Sequence, residues 1–558
     1  MPTARAAAVE YLAAAVQFEP TIFDKAGNLE RLEALVAEAA EAGARLVVLP
    51  EMATTGYVFT GREEIKDLVE PLPGPTTKFL AGLAARHRVH LVAGLAEVDP
   101  TTDFYYNSAV LVGPDGGLAG RYRKLHSFIN ETAWAKDGDL GPIVIPTELG
   151  RIGLLICNDA NFFEAARLEA LAGADLIAFP TNWLGPAPSR KWRARALENG
   201  VYLVSANRWG TERGARFAGG SCVIDPLGGL VGVRETGDGV VLGRISLELA
   251  RHKALEGVGD RLTIRRPGEY HRLVIHSHLW HHRHTFGRLS TGKPLVGVVQ
   301  VGGDDALAAV RRMLGEAVAG PGTDRAPDPL PAPDLVVLPD LSGVAPAEAL
   351  PTGPVFQEVL ALARRHGTFI VYGAREVDGG RRFRTAILVG PDGLLGRYRS
   401  IHVTPGDRLD PGDLGFPGFD LPFGRVGLLL GADLYVPEAA RCLAKIGVDL
   451  ICVSAALTRP EAESHILAED RATTDHVYLA MANLTGLGPG SAIYAHAEAE
   501  QPSPEVHLPP EGDGYGQISL EIADDSPVRQ KEYLRKLQPF WYTPLVRPGS
   551  PGRGGRES

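Results

Sequence analysis

The chain has 558 residues, a formal net charge of −10, 45% hydrophobic and 22% charged residues, and a pI near 5.9. These fractions describe an ordinary globular protein, and a length prior of roughly 150 residues per domain allows three or four domains, fewer if they are large α/β layers. The acidic balance argues against a surface that works by neutralising nucleic-acid phosphates.

Taken in chain order, the first segment (MPTARAAAVEYLAAAVQFEP) lacks a long apolar run and meets Glu10 early, unlike a secretory leader. AGNLERLEALVAEAAEAG spaces its apolar residues at i, i+3, i+4 and i+7 and ends on glycine, which predicts a helix. The short Val/Ile/Leu-rich runs ARLVVLP, VHLVAGL, RIGLLIC, ADLIAFP and VYLVSAN have the length of buried strands. GPDG and DPLGG read as hairpin turns. Strands alternating with helices predict a sheet covered by helices. No run of about 18 apolar residues occurs, so no membrane span is expected. Cys157, Cys222, Cys442 and Cys452 are too scattered for a disulfide framework. Together these features predict a cytoplasmic, reduced protein.

The chain also repeats itself. GRIGLLICNDANFFEAARLEALAGADLI from Gly150 matches GRVGLLLGADLYVPEAARCLAKIGVDLI from Gly424, 274 residues later. ARLVVLPEM matches PDLVVLPDL, AVLVGPDGGLAGRYRKLH matches AILVGPDGLLGRYRSIH, and NGVYLVSAN matches DHVYLAMAN, in the same order. The repeat places one domain at 8–274 and a second at 293–547. HSHLWHHRHTFGRLSTG gives a His-rich linker at 275–292, and PGSPGRGGRES a disordered tail at 548–558.

Three reactive groups in the first copy follow strand-like runs: Glu51, Lys124 and Cys157. The ends of buried strands are where open α/β sheets place their chemistry. Cys157 precedes a helix, whose dipole, with a nearby lysine, would lower the thiol pKa and make a nucleophile. The plainer reading of a cysteine after an apolar strand is a core residue, and Glu51 and Lys124 taken singly would be surface charges.

Together, LPEMATTGY, GRYRKLH and GLLICNDANFFE resemble the motifs of the nitrilase superfamily of carbon–nitrogen hydrolases, in the right order. FAGGSCVIDPLG and RALENGVYLVSANR are similar to further segments of that family, so the resemblance covers nearly all of 8–274. It implies an αββα sandwich that pairs through the helix after the cysteine, hence two tandem sandwiches forming an internal pseudo-dimer, with further self-association left open. It also implies Glu51 as general base, Lys124 as the oxyanion-stabilising lysine, Cys157 as nucleophile and Glu131 as a second, positioning glutamate. The implied reaction runs through a thioester and needs no metal or organic cofactor.

The second copy loses this chemistry. Cys157 aligns with Gly431, Lys124 with Ser400 and Glu51 with Asp340, while the Glu131 position falls within Pro405–Asp407. Asn182 and Trp183 become Ala456 and Leu457, yet the apolar strand runs persist. The second domain reads as a pseudoenzyme half that supports the first, and a scaffold without activity is the non-enzyme alternative.

The substrate class is less sharply marked. Asn158-Asp159 after the cysteine, with Glu164 beyond, is similar to the amidase and carbamoylase branches. ETAWAKDGD from Glu131 is similar to a nitrilase segment. A small amide is the first choice, with a nitrile or an N-carbamoyl amino acid as alternatives. Tyr57, Trp134, Asn158, Asn182 and Trp183 are the candidate substrate-binding residues, and Arg193 or Arg208 would serve a substrate carboxylate, although salt bridging is the more ordinary role for either. The linker histidines (His276, His278, His281, His282 and His284) lack a Cys, Asp or Glu to complete a metal site and read as solvated. Nucleic-acid, nucleotide and membrane partners find no support.

Overall fold

A computed structural model describes residues 9–277, 285–302, 308–312, 332–343, 345–403, 406, 408–495 and 505–547. The expected tail at 548–558 and four of the five linker histidines (His278, His281, His282 and His284) lie outside the described residues. The chain divides into two compact units, one of residues 1–253 with 540–558 and the other of 254–539.

The first unit contains β1 (Glu10–Gln17), α1 (Lys25–Glu41), β2 (Ala44–Val48), α2 (Pro75–His87), β3 (His90–Val98), β4 (Tyr105–Val112) and β5 (Leu118–Arg123). It continues with β6 (Val144–Thr147), β7 (Gly150–Leu154), α3 (Phe163–Leu171), β8 (Leu176–Thr181), α4 (Arg190–Asn199), β9 (Tyr202–Asn207), β10 (Ser221–Ile224), β11 (Leu230–Arg234) and β12 (Gly239–Ser246). Two six-stranded sheets result, ordered β12-β1-β2-β3-β4-β5 and β11-β10-β9-β8-β7-β6. β1, β2 and β3 run parallel, as do β7, β8 and β9.

Local chemistry explains the elements. Asp24 caps α1 by accepting from the Gly27 amide at 3.0 Å. Leu32, Val36 and Ala39, spaced four and three apart, then bury the stripe that covers the first sheet together with Leu80, Leu83 and Ala84 of α2. Ser189 caps α4, and the helix stops at Gly200 in the left-handed conformation (φ 62°). Both anticipated hairpins form: Gly113 N donates to Gly117 O at 2.8 Å and Asp225 N to Gly229 O at 2.9 Å.

The second unit repeats this plan with β13 (Leu295–Gln300), β14 (Leu335–Asp340), α5 (Pro354–His366), β15 (Phe369–Asp378), β16 (Arg381–Gly390), β17 (Gly393–Arg399) and β18 (Gly418–Leu421). There follow β19 (Gly424–Leu430), α6 (Pro437–Ala444), β20 (Leu450–Ser454), α7 (Glu461–Asp475), β21 (Tyr478–Ala482), β22 (Ala492–Tyr494), β23 (Val506–His507) and β24 (Gly514–Ser519). Its sheets are ordered β17-β16-β15-β14-β13-β24 and β18-β19-β20-β21-β22-β23. Each unit is thus a mixed α/β fold of two sheets flanked by helices.

The compact units end differently from the sequence repeats. Within the second unit, Arg265 Nε pairs with Glu438 Oε1 at 2.6 Å and Tyr270 Oη meets His402 Nε2 at 2.7 Å. Within the first unit, a Cβ on Gly141 would lie 2.6 Å from the Trp541 ring, so the segment from Phe540 onwards packs there. All four cysteines are buried free thiols. No helix among the described residues is long and apolar enough to cross a membrane.

Candidate active site

The first unit gathers the three sequence motifs at strand ends. Glu51 follows β2, and the chain turns at once through Met52 (φ 51°). Gly94 of β3 makes room for this turn, since a Cβ there would lie 2.5 Å from the Glu51 Cα. Lys124 follows β5, and its amide donates to Asn107 O of β4 at 2.9 Å. Cys157 follows β7 and opens a 3₁₀ turn, Cys157–Asn161, before α3. Its φ of +43° is a conformation that costs a non-glycine residue about 1–3 kcal/mol and clusters at functional positions.

The polar groups converge in a closed arrangement. Lys124 Nζ donates to Glu51 Oε1 at 2.8 Å and to Glu131 Oε1 at 2.6 Å. Asn107 Nδ2 bridges the same two oxygens, at 2.6 and 2.8 Å. The Phe128 amide holds Glu131 Oε2 at 2.8 Å. Glu51, Lys124 and Glu131 are fully buried and Cys157 is 5% exposed. The second oxygen of Glu51, Oε2, is buried with no hydrogen-bond partner among the described residues.

Electrostatics set the resting protonation. Burial pushes Glu51 up to about 7; Lys124 opposes this and Glu131 adds to it. Burial works against the Lys124 charge, but Glu131, Glu51 and Cys157 outweigh it and hold the ammonium firmly charged. For Cys157, burial first and Glu51 second push the thiol up, against the lowering effects of Lys124 and the Thr181 hydroxyl. This corrects the expectation of a thiol lowered by lysine and helix dipole. Full burial beside a carboxylate outweighs both, so the resting group is the thiol.

The anticipated pocket residues divide into two groups. Asn182 is 2% exposed, and neither its amide nitrogen nor its oxygen has a hydrogen-bond partner among the described residues. The same holds for Trp134 Nε1 and Trp183 Nε1. Tyr57 lies close enough to Glu131, Glu51 and Cys157 for their charges to add to burial in raising its pKa. Its ring meets Phe217 edge-on at 6.0 Å, Trp134 meets Phe59 at 6.4 Å, and Trp183 meets Trp192 at 5.5 Å. Asn158, by contrast, directs its amide to the carbonyls of His126 (3.1 Å) and Ser127 (3.2 Å). Asp159 beside it collects His126 Nδ1 at 2.8 Å, Tyr122 Oη at 2.7 Å and the Ile156 amide at 3.1 Å. These two side chains tie the cysteine turn to the lysine loop.

The arginines are engaged. Arg208 is buried against Glu212 at 2.8 Å, and Glu212 in turn caps the Tyr57 and Val58 amides at 2.9 and 2.6 Å. Arg193 Nε donates to Gly228 O at 2.7 Å. Sequence reasoning missed Asn107 and Thr181. The signal for Asn107 was a polar residue inside the otherwise apolar strand YYNSAVLV; Thr181, closing the buried strand β8, carried none.

In the second unit, Gly431 follows β19 and does not adopt the left-handed conformation. A Cβ there would lie 3.0 Å from Leu457 Cδ2 and 3.3 Å from Ala455 Cβ. Asp340 accepts from the Ser342 amide at 3.0 Å and faces Arg384 Nε at 3.4 Å. Ser400 Oγ donates to His402 O at 3.3 Å. Of the segment matching Glu131, Pro405–Asp407, residues 405 and 407 lie outside the described residues.

The profile of the carbon–nitrogen hydrolase family matches residues 12–254 and 324–502, more than half of the chain. The chain belongs to the carbon–nitrogen hydrolase family, and its two matched segments are tandem copies of that domain. Among its relatives, a nitrilase of Pyrococcus abyssi is 42% identical over 259 residues, covering 46% of this chain and 98% of the relative. A probable nitrilase of Schizosaccharomyces pombe is 36% identical over 43% of this chain and 89% of its own length. An (R)-stereoselective amidase of a Pseudomonas species is 35% identical over 44% of this chain and 87% of its own length. The protein is accordingly a hydrolase of the nitrilase superfamily.

Proposed function

We propose that the first unit hydrolyses the C–N bond of a small amide, releasing ammonia and a carboxylic acid through a thioester on Cys157. The observation that carries this reading is the division of labour on Glu51: Oε1 is held by Lys124 and Asn107, while Oε2 is buried and unpartnered. A carboxylate positioned by one oxygen keeps the other for a proton, and a pKa near 7 suits it both to take and to return one.

Glu51 removes the thiol proton as Cys157 Sγ bonds to the amide carbon. Because the thiol rests protonated, deprotonation accompanies attack. Lys124 and the backbone N–H of Asn158 stabilise the oxyanion, work commonly worth about 3 kcal/mol per donor. The C–N bond breaks, Glu51 returns the proton to the nitrogen, and ammonia leaves. Water, deprotonated by Glu51, then attacks the thioester; the C–S bond breaks, the acid departs and the thiol is restored. Asn182, with both ends of its amide unpartnered, matches the donor and acceptor of a primary amide substrate.

The names of the two nitrilase relatives favour a second reading, a nitrile substrate taken to the acid and ammonia. The engagement of Arg208 and Arg193 weighs against an N-carbamoyl amino acid, whose carboxylate calls for a cationic anchor. In this account the second unit is a non-catalytic copy. Ammonia release from matched nitriles, primary amides and N-carbamoyl amino acids, run with wild type and Cys157→Ala, tests the reading. Cys157-dependent release from amides is expected; turnover of nitriles alone would replace the amide assignment, and release that survives the substitution would reject the thioester route.

A further inference from the structure

The copy without the triad carries a different constellation on the helix that follows β20. Glu461 opens α7 and His465 stands one turn on, at i and i+4, so both side chains share one face. His507 arrives from the end of β23, which pairs with β22 through Ala492. His507 Nε2 lies 2.7 Å from Glu461 Oε1, and His465 Nε2 lies 3.7 Å from the same oxygen. All three donor atoms fall within 4.8 Å of one another. The two imidazole rings stand 4.8 Å apart, edge to face at 79°.

We infer that Glu461, His465 and His507 form a binding site for a divalent cation of the zinc class. Two neutral imidazoles and one carboxylate are an N₂O donor set that suits zinc and its neighbours rather than magnesium or calcium, which prefer oxygen. Ligand bonds of about 2.0–2.2 Å place tetrahedral donors roughly 3.4 Å apart. The 2.7 and 3.7 Å separations bracket that spacing, and the exposed His507 side chain is free to open the shorter one by rotation.

The surroundings favour the required tautomer. His465 Nδ1 lies 2.5 Å from Tyr494 Oη on β22. With Nδ1–H donating to the phenol oxygen, the Nε2 lone pair is directed at the cation, the arrangement in which a neighbouring group fixes a metal-bound histidine. The ion would then join the start of α7 to the β22–β23 hairpin. Glu-x-x-x-His at helical spacing was the legible half of this site; His507, 42 residues beyond His465, was not.

The test is zinc titration of the full chain by calorimetry in a non-chelating buffer, after EDTA treatment and desalting. It uses a background in which the five linker histidines are replaced by alanine, because they offer a rival site. One zinc per chain is expected to remain in that background, raising the melting temperature, and His507→Ala or Glu461→Gln is expected to weaken binding roughly tenfold or more. Far-UV circular dichroism of each variant confirms that the fold is kept, and cobalt(II) absorbance gives a second readout of the donor set. Loss of all zinc binding with the linker histidines would overturn the inference. So would binding, or cobalt absorbance, that ignores both substitutions.

Discussion

The turn after β7 and its counterpart after β19 have the same frame and different contents. In both units a glycine of the third strand admits the turn of the acidic residue: a Cβ on Gly94 would sit 2.5 Å from Glu51 Cα, and one on Gly373 would sit 2.8 Å from Asp340 Cα. In both, an aspartate holds a histidine of the adjoining loop, Asp159 with His126 at 2.8 Å and Asp433 with His402 at 2.6 Å. In both, an arginine reaches across the intervening strand to a buried glutamate two strands away in the sheet, Arg123 to Glu97 at 2.5 Å and Arg399 to Glu376 at 2.7 Å.

The differences at the site include the groups proposed to react. Cys157 sits in a strained left-handed conformation, whereas Gly431, which would tolerate one freely, does not adopt it. Leu457 and Ala455 crowd the space that a side chain at 431 would enter. Arg384 takes the register of Asn107, as β16 pairs Thr385 with Arg399 where β4 pairs Ser108 with Arg123. It faces a shortened acid, Asp340, instead of bridging two glutamates. Among the described residues, buried ion networks that support the frame are thus present in both units, while the strained cysteine turn beside an orphaned Glu51 oxygen is found in the first. That separates the needs of folding from the needs of chemistry within a single chain.

Substitutions in the two units would break or sharpen this contrast. Cys157→Ala should cut steady-state ammonia release by at least about ten-thousand-fold, since loss of a nucleophile removes the covalent route. Ser400→Ala in the second unit should leave the rate unchanged. Lys124→Met should lower kcat by about a hundred- to a thousandfold, the scale of losing an oxyanion donor.

Asn107→Ala removes a hydrogen bond to the charged form of Glu51 and should cost about tenfold to a hundredfold in kcat. It also has a signed pH signature. Glu51 is raised to about 7, so the wild-type rate should fall as pH drops through that value and the base becomes protonated. Without Asn107 the ionised form is less favoured, and the acid limb should move to higher pH. A limb that stays in place would assign the proton to another group.

The smallest effect concerns the second unit. Asp340→Glu, Ser400→Lys and Gly431→Cys, introduced together into Cys157→Ala, should restore no activity. Gly431→Cys alone should lower stability by about 1–3 kcal/mol in denaturant unfolding, because its side chain meets Leu457 at 3.0 Å. Restored turnover would show that the second copy lost only its reacting groups.

Much of this contrast was readable from the residues. Apolar runs such as ADLIAFP and VYLVSAN became the central strands β8 and β9, because burial on both faces leaves few alternatives to a parallel sheet. The ordered motifs placed Glu51, Lys124, Glu131 and Cys157 in one copy, and the repeat exposed their loss in the other. The thiol's protonation was not readable, because it depends on how completely the site is closed from water. The role of Asn158-Asp159 was equally hidden, since both side chains turn onto backbone and loop groups that only the fold brings near. The ends of the units escaped too. Residues 254–274 close the first repeat in sequence yet pack in the second unit, guided by partners such as Glu438 and His402 more than 130 residues away.

The central claim is that one thiol of four, in one copy of two, carries the reaction. It is tested most directly by quenching turnover of a slow amide with acid and measuring intact mass and peptide maps. One acyl group per chain, on the peptide containing Cys157 and absent from Cys157→Ala, is the predicted result. An adduct on Cys222, Cys442 or Cys452, or two acyl groups per chain, would contradict it.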